Sequence, residues 1–366
     1  MSEVLIIGGG LAGAAAALEL ARAGVPVRLL ERDARPQHKI CGEFLSIEAN
    51  GDLQRLGLDP VALGAVPIDR VRLIAGGRRI EAALPFVAHG LSRKRLDEAL
   101  LEAARWHGAR IERGVKATGI ENGQVGSSAG PCRAQAILLA TGKHDIRGLR
   151  RAGPYADKDY VGFKMHWRLD PAQRAALGSA IELILFKGGY AGLQGISRDT
   201  ANLCLIVRRA RLVREGGRWQ ELLAALMREN HLARRLAGAE ALLERPLTIA
   251  NLPYGYLCDP ASFQPRGLYR LGDQAALTAP LTGDGMAIAL RSARIAAACV
   301  KAGLGPQEYH RRLLAQAAPQ VRRAMFLQRA AEHPLAMQGG LALLGLWPAA
   351  LGKLAGVTRL AEQRTT

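Results

Sequence analysis

Apolar positions along the chain follow two rhythms, a helical one and an alternating one, and the places where they switch outline its elements. After Glu3 the run VLII is short and wholly apolar, and the turn GGGLAG ends it. AAAALELARAG then has helical spacing, and VPVRLLE has the length and branching of a second strand. Far downstream, residues 268–271 read as another strand, stopped by Gly272 and Asp273. A helix is expected from about Gly285 to Lys301. Between these ends, DKDYVGFKMHWRL, IELILFKGGYAGLQGI and ANLCLIVRRA alternate as consecutive antiparallel strands would, with KGG and SRDT as turns. GGRRIEAALPF, at 76–86, is expected to join that sheet, and two helices are expected near 217–229 and 231–243.

The tail has its own pattern. PLAMQGGLALLGLWPAALG, residues 334–352, carries no charge and approaches the length of a membrane span. Its glycines and Pro348 break it, so short kinked helices are the expectation. Such helices can cover the first domain, close an apolar substrate tunnel, or rest on a membrane surface.

Composition narrows the function classes. The five cysteines, at 41, 132, 204, 258 and 299, form no CxxC pair, and their odd number argues against a disulfide framework. MSEVLIIGGG lacks the basic start and cleavage site of a signal peptide, which makes the cytoplasm the expected location. A formal charge of +18 raises the question of nucleic acid. The arginines are scattered, however, with neither a lysine tract nor interleaved stacking aromatics, so nucleic acid is not an expected partner. Anionic ligands, an anionic membrane or plain solvation account for the charge.

Gly8, Gly10 and Gly13 stand at G-x-G-x-x-G spacing between strand and helix. The first permits a tight turn, the second lets a pyrophosphate approach the backbone, and the third packs the helix on the sheet. The diphosphate then meets free N–H groups at the helix start. Glu31 closes the second strand, where a carboxylate can accept both ribose hydroxyls of an adenosine. Arg32, next along, either tunes that pocket or is a solvated surface arginine. The remote segment GDQAALTAPLTGDGM supplies a second set of groups. Asp273 can accept a ribityl hydroxyl, and the N–H groups around Thr282, Gly283, Asp284 and Gly285 suit a pyrimidine carbonyl or a flavin anion. A nicotinamide unit needs no such second site.

Three segments, GGGLAG with Glu31, LLATGKHDIRG, and GDQAALTAPLTGDGM, together resemble the glutathione-reductase-type FAD superfamily. Its members include p-hydroxybenzoate hydroxylase, flavin-dependent halogenases and geranylgeranyl reductases. The resemblance runs from residue 1 to about 330, with a poorly matching middle. It implies an α/β fold: a Rossmann-like FAD domain at 1–66, 90–156 and 262–330, and an inserted antiparallel substrate sheet at 67–89 and 157–261. A helical segment at 331–366 completes it. The resemblance also implies that Thr141 and Gly142 close the domain over the dinucleotide. Arg93, leading the helix in LSRKRLDEALLEAARWHG, is implied to reach the cofactor.

The branch is read from details. GDQAAL lacks the histidine that aromatic hydroxylases carry in this position, whereas PLTGDGM and HKICGEFLS resemble the geranylgeranyl reductase branch. That places Cys41, Gly42 and Glu43 near the flavin ring. Cys41 can shape the flavin face, donate weakly from its thiol or protonate a substrate carbon; equally, it can be a buried small apolar residue. Glu43 is a candidate general acid or a helix-start charge. Lys164 and His166 share one face of a strand, as do Tyr190 and Gln194; Tyr190 is the candidate for the pocket because it joins rigid area to one polar handle. The resulting expectation is hydride transfer between flavin and a hydrophobic unsaturated substrate. The alternative is a monooxygenase acting on an aromatic or polyketide-like ring. NAD(P)H or an electron-donor protein would reduce the flavin, and peripheral membrane contact is a further expectation.

Overall fold

The computed structural model describes residues 3–121, 123–151, 159–229, 231–259, 261, 265 and 267–359. The expected boundary at 156/157 and the last seven residues of the expected C-terminal segment lie outside them.

The chain starts with β1 (Val4–Ile7), α1 (Leu11–Arg22) and β2 (Val27–Glu31). A short β3 (Phe44–Leu45) and α2 (Ile47–Arg55) follow. The long hairpin β4 (Val66–Ala75) and β5 (Arg78–Gly90) then leads to α3 (Arg93–Trp106) and β6 (Arg110–Arg113). A small meander, β7 (Ala117–Glu121), β8 (Gln124–Ser127) and β9 (Cys132–Arg133), precedes β10 (Ala136–Leu139). The middle holds β11 (Tyr160–Arg168), α4 (Pro171–Leu177), β12 (Ala180–Phe186), β13 (Gly189–Gly195) and β14 (Thr200–Arg208). Then come α5 (Arg209–Arg214), α6 (Trp219–Glu229), α7 (Leu232–Arg235), β15 (Glu240–Ala241) and β16 (Leu247–Ala250). The return uses β17 (Tyr256–Leu257), β18 (Leu268–Arg270) and β19 (Ala276–Leu277). Four helices finish the described chain: α8 (Gly285–Lys301), α9 (Pro306–Glu332), α10 (Pro334–Leu346) and α11 (Ala349–Val357).

Two sheets organise these elements. The first is all parallel, in the order β18-β10-β1-β2-β6. Its inner strands read as unbroken apolar runs because both faces are covered. Every residue of β1 is buried, and α1 packs between the sheet, α3 and α8. The row of alanines at 14–17 permits that crowding, since each is wholly buried and none carries bulk beyond Cβ.

The second sheet has nine strands, β15-β11-β14-β13-β12-β4-β5-β3, with β16 also pairing to β11. Its pairings are antiparallel except β12 with β4, which is parallel. Residues 78–86 lie in it, as their alternation suggests, with Gly76 and Gly77 forming the hairpin turn. One face of β11 (Val161, Phe163, Met165) packs under Trp219, Leu222 and Leu226 of α6. Fully burying each such side chain contributes roughly 1.5–3 kcal/mol.

One expectation changes. The helix expected over 231–243 is only α7, four residues long, because the chain beyond Gly238 pairs with the edge of β11, Ala241 opposite Trp167. Lys164 and His166, on the other face of β11, are both buried, because that face is covered as well.

Candidate active site

The first turn is built by steric necessity. Gly8 has φ +104°, and a Cβ there would meet the carbonyl oxygen of Ala140. At Gly13 a Cβ would overlap the Gly8 carbonyl oxygen, so only glycine lets α1 lie this close to β1. Gly10 is the N-cap of α1, and no side chain caps the helix, leaving its first N–H groups open. The Gly9 N–H donates to Glu31 Oε2 at 2.6 Å, and the Asp33 N–H donates to Oε1 at 2.9 Å. Glu31 is thereby fixed at the end of β2. Arg32 is 45% exposed and lies beside Asp33 at 3.7 Å. Thr141, at the end of β10, turns its hydroxyl to the His144 carbonyl at 2.6 Å.

A cavity of about 410 Å³ begins beside this turn. At its near end lie Gly10, Arg93, Gly142, Asp273 and Gly285. Arg93 forms a two-bonded pair with Asp97, at 2.8 and 2.9 Å, and its Nη2 stands 3.6 Å from where a Gly10 Cβ would be. Burial works against the guanidinium charge, but Asp97 more than offsets it and raises the Arg93 pKa. Asp273 receives the ammonium of Lys143 at 3.0 Å. Burial would lower the Lys143 pKa, and the Asp273 charge raises it instead. Lys143 was not singled out in the sequence. Its only signal is its position, just past the strand end at Ala140-Thr141-Gly142.

The segment that reads CGE lies across the middle of the cavity. Cys41, Gly42 and Glu43 all line it, and Asn202 on β14 donates to the carbonyls of Cys41, at 3.1 Å, and Gly42, at 2.8 Å. The Cys41 sulfur accepts from the Glu43 N–H at 3.3 Å. Glu43 is fully buried. Its Oε1 accepts from the Arg93 N–H at 2.8 Å and meets Lys164 Nζ at 2.6 Å; Oε2 meets His166 Nε2 at 2.8 Å. Lys164 also donates to the Lys39 carbonyl at 2.9 Å. Burial favours the neutral acid, yet Lys164 and His166 together hold the Glu43 pKa below the usual carboxylate range. These three contacts anchor the Glu43 carboxylate between α3 and β11. His38 stacks edge-on to His166, with ring centroids 4.8 Å apart. Burial, His166 and Lys164 push its pKa down to about 4. The donor atoms of His38, Glu43 and His166 cluster within 4.8 Å, and the Lys164 ammonium supplies the positive charge that a metal would otherwise bring. Asn202 and His38 had no sequence signal, because only the meeting of β14 with the 38–43 loop gives them a task.

Thr282 and Gly283 line the cavity near α8, while Asp284 is buried behind them against Arg359 at 3.2 Å. Burial raises the Asp284 pKa to about 6 against the opposing pull of Arg359. The far half of the cavity is apolar, with Leu73, Leu84, Phe86 and Leu183 on the sheet side and Met337, Leu341 and Leu351 on the helical side. Polar groups on β13 interrupt it. The Tyr190 hydroxyl and the Gln194 Nε2 are buried without a hydrogen-bond partner among the described residues. Burial raises the Tyr190 pKa well above the ordinary range, so the group is a neutral donor. Cys204, also on the cavity wall, is pushed up to about 12 by burial and stays a thiol.

The cradle fits a flavin dinucleotide. Where Gly42, Gly142 and Gly285 face the cavity, an added Cβ would meet nothing within 4 Å, leaving room for a planar group between them. Residues 1–133 match the family model described as FAD binding domain. FAD is the cofactor. The chain is built as an FAD-dependent oxidoreductase, with a Rossmann-like parallel sheet, an antiparallel sheet and C-terminal helices.

Menaquinone reductase of Mycobacterium tuberculosis is 31% identical over 126 residues, 33% of this chain and 31% of that protein. The chain thus spans about a third of the length of the curated relatives it matches. The flavin-dependent brominase Bmp2 shares the fold, with TM-score 0.77 and 21% identity over 97% of this chain and 93% of that one. So does PqsL of Pseudomonas aeruginosa, described as a probable FAD-dependent monooxygenase, with TM-score 0.74 and 18% identity over 92% and 98% of the two chains. No helix among the described residues is by itself long and apolar enough to cross a membrane.

Proposed function

We propose that this flavoprotein is a reductase of the geranylgeranyl reductase-like branch, acting on an unsaturated apolar substrate with a carbonyl-bearing head, such as a prenylated quinone. One observation carries the reading: an apolar cavity continuous with the flavin cradle contains buried donors on β13, Tyr190 Oη and Gln194 Nε2, that have no partner among the described residues. An unpaired buried donor costs about 1–3 kcal/mol, which a substrate carbonyl would relieve. The name of the matching mycobacterial relative, menaquinone reductase, agrees with a substrate of this kind.

Reduced FAD, when bound, supplies a hydride. The chain's own residues do the rest. Arg93, Asp273 and Lys143 hold the cofactor at its polar end, with the first-turn glycines and Glu31 at the dinucleotide. Asn202, Glu43 and Lys164 keep the Cys41-Gly42 peptide against the cavity. Tyr190 and Gln194 orient the substrate carbonyl, and the apolar walls exclude water. Reduction of a carbon–carbon double bond adds one hydride and one proton; the Cys41 thiol is the assigned proton donor, recharged from solvent. In this reading residues 67–89 and 157–261 form the substrate platform, and NAD(P)H or a donor protein reduces the flavin.

The test is anaerobic. Holoprotein with reduced flavin is mixed with menaquinone, a polyprenyl substrate or a phenol, and the return of oxidised flavin absorbance is followed. Reoxidation by an unsaturated compound without oxygen is expected. Tyr190→Phe should weaken substrate binding about 3–10-fold, the worth of one hydrogen bond. Cys41→Ser should slow turnover with unchanged flavin content. A second reading, monooxygenation of an aromatic ring, draws on the fold shared with PqsL over 92% of the chain. If reoxidation needs oxygen and yields a hydroxylated product, that reading replaces the first.

A further inference from the structure

Among the described residues, twelve large apolar side chains stand exposed, and six of them fall within residues 335–357. Scattered exposed apolar groups need no explanation, but a cluster of this kind marks a contact surface. Leu335, Leu343 and Leu346 project from α10, Trp347 from the joint and Val357 from α11, while Leu354 is partly exposed at the cavity rim; Leu346 is 87% exposed. The opposite side of the same two helices lines the cavity through Met337, Leu341 and Leu351. The hairpin is therefore apolar towards the protein and towards solvent. A helix that is apolar all round belongs in a core or in lipid, and among the described residues nothing covers the outer side of this one.

Charge identifies what covers it. Residues 334–352 carry none, while Lys353 on α11 and Arg323 on the adjoining α9 are exposed, and Arg323 donates to the Val357 carbonyl at 3.2 Å, beside the apolar patch. The Lys353 ammonium lies 4.7 Å from the centre of the Trp347 ring, an aromatic and a cation placed together as at a membrane interface. Two copies of a chain with formal charge +18 would bring these basic rims face to face, whereas an anionic surface would neutralise them. The chain bends by 118° between the two helices, so they do not form one straight span. The hairpin is also tied to the flavin cradle. Arg359, just beyond α11, donates to the Thr282 carbonyl and pairs with Asp284.

We propose that the α10–α11 hairpin docks this protein on the surface of an anionic phospholipid bilayer, without spanning it. The outer apolar side chains enter the acyl boundary and the arginine and lysine rim meets lipid phosphates. The cavity beneath then faces the bilayer, so a lipid-borne substrate reaches it without crossing water. The docking surface stands on the exposed residues alone and does not rest on the substrate reading.

The experiment uses full-chain holoprotein and sedimentation with two kinds of vesicle: phosphatidylcholine alone, and phosphatidylcholine with phosphatidylglycerol. Binding to the anionic vesicles, weakened by salt, is expected. The double variant Leu346→Glu, Trp347→Glu should partition about tenfold less or lower still, because two apolar insertions become two like charges. Its flavin content and thermal midpoint should match the parent, which separates lost docking from lost fold. Arg323→Glu should reduce binding to anionic vesicles without changing flavin content. The proposal is overturned if the parent ignores anionic vesicles or if the double variant binds them as the parent does. It is equally overturned if light scattering without lipid shows a dimer that the double variant abolishes, since a second copy would then own the surface. Turnover of a water-dispersed substrate tests the reductase reading separately, because it requires no vesicle.

Discussion

Glu43 shows how much of the site is carried by one residue with three partners on two elements. Its backbone has φ +60°, a left-handed conformation uncommon outside glycine, and such strain costs on the order of 1–3 kcal/mol. The carboxylate stabilises that conformation through Arg93 N, Lys164 and His166. Glu43→Gln would strand the Lys164 ammonium, which has no exposed surface, and should destabilise the fold by about 3–5 kcal/mol in urea unfolding. The pH dependence follows from the depressed folded pKa of Glu43. Its contribution is present above the ordinary carboxylate pKa of the unfolded chain and is lost as pH falls through the lower folded value. The gap between parent and Glu43→Gln should therefore be widest near neutral pH and close in acid; a gap independent of pH would refute the assignment. The sequence marked this residue through the CGE stretch, but its charge state depends on two residues more than a hundred positions away.

At the scale of elements, β1, α1 and β2 were legible because their evidence is local. An apolar run, glycines at fixed offsets and a terminal acid need no distant partner to be recognised. Gly13→Ala tests that unit directly. The added methyl overlaps the Gly8 carbonyl, so α1 must move off the strand. A cost of about 1–3 kcal/mol and loss of most bound flavin are expected, read by thermal unfolding and by the ratio of flavin to protein absorbance. Retention of full flavin content would show that the dinucleotide lies elsewhere. The region after α6 was legible only in part. Residues 231–243 have helical spacing, but the open edge of β11 takes up the chain at Glu240–Ala241 and ends the helix early.

For the whole molecule, the two sheets and the C-terminal hairpin enclose one continuous cavity whose two ends differ in chemistry, polar at the dinucleotide and apolar under α10 and α11. The purified protein should be yellow and should release FAD on denaturation, since the Gly283–Gly285 loop holds no cysteine or histidine to form a covalent link. Added FAD at a hundredfold excess over its Kd should stabilise the apoprotein by about 2.7 kcal/mol and raise the thermal midpoint. A colourless protein whose unfolding ignores FAD would refute the cofactor assignment.

The amino-acid sequence by itself determined the dinucleotide turn, the remote GDG helix start, the alternating strands and the uncharged tail. All of these are patterns within a few turns or strands of chain, where spacing alone dictates which side chains share a face. Only the tertiary structure decided which of the polar residues matter together. Lys164 and His166 read as ordinary strand residues until β11 is packed beneath the 38–43 loop, where desolvation turns them into the partners of Glu43. Tyr190 and Gln194 share a face on paper, but that their donors find no partner among the described residues depends on what the neighbouring strands and helices place beside them. Burial and pairing are properties of a closed surface, and no local stretch of sequence contains that surface.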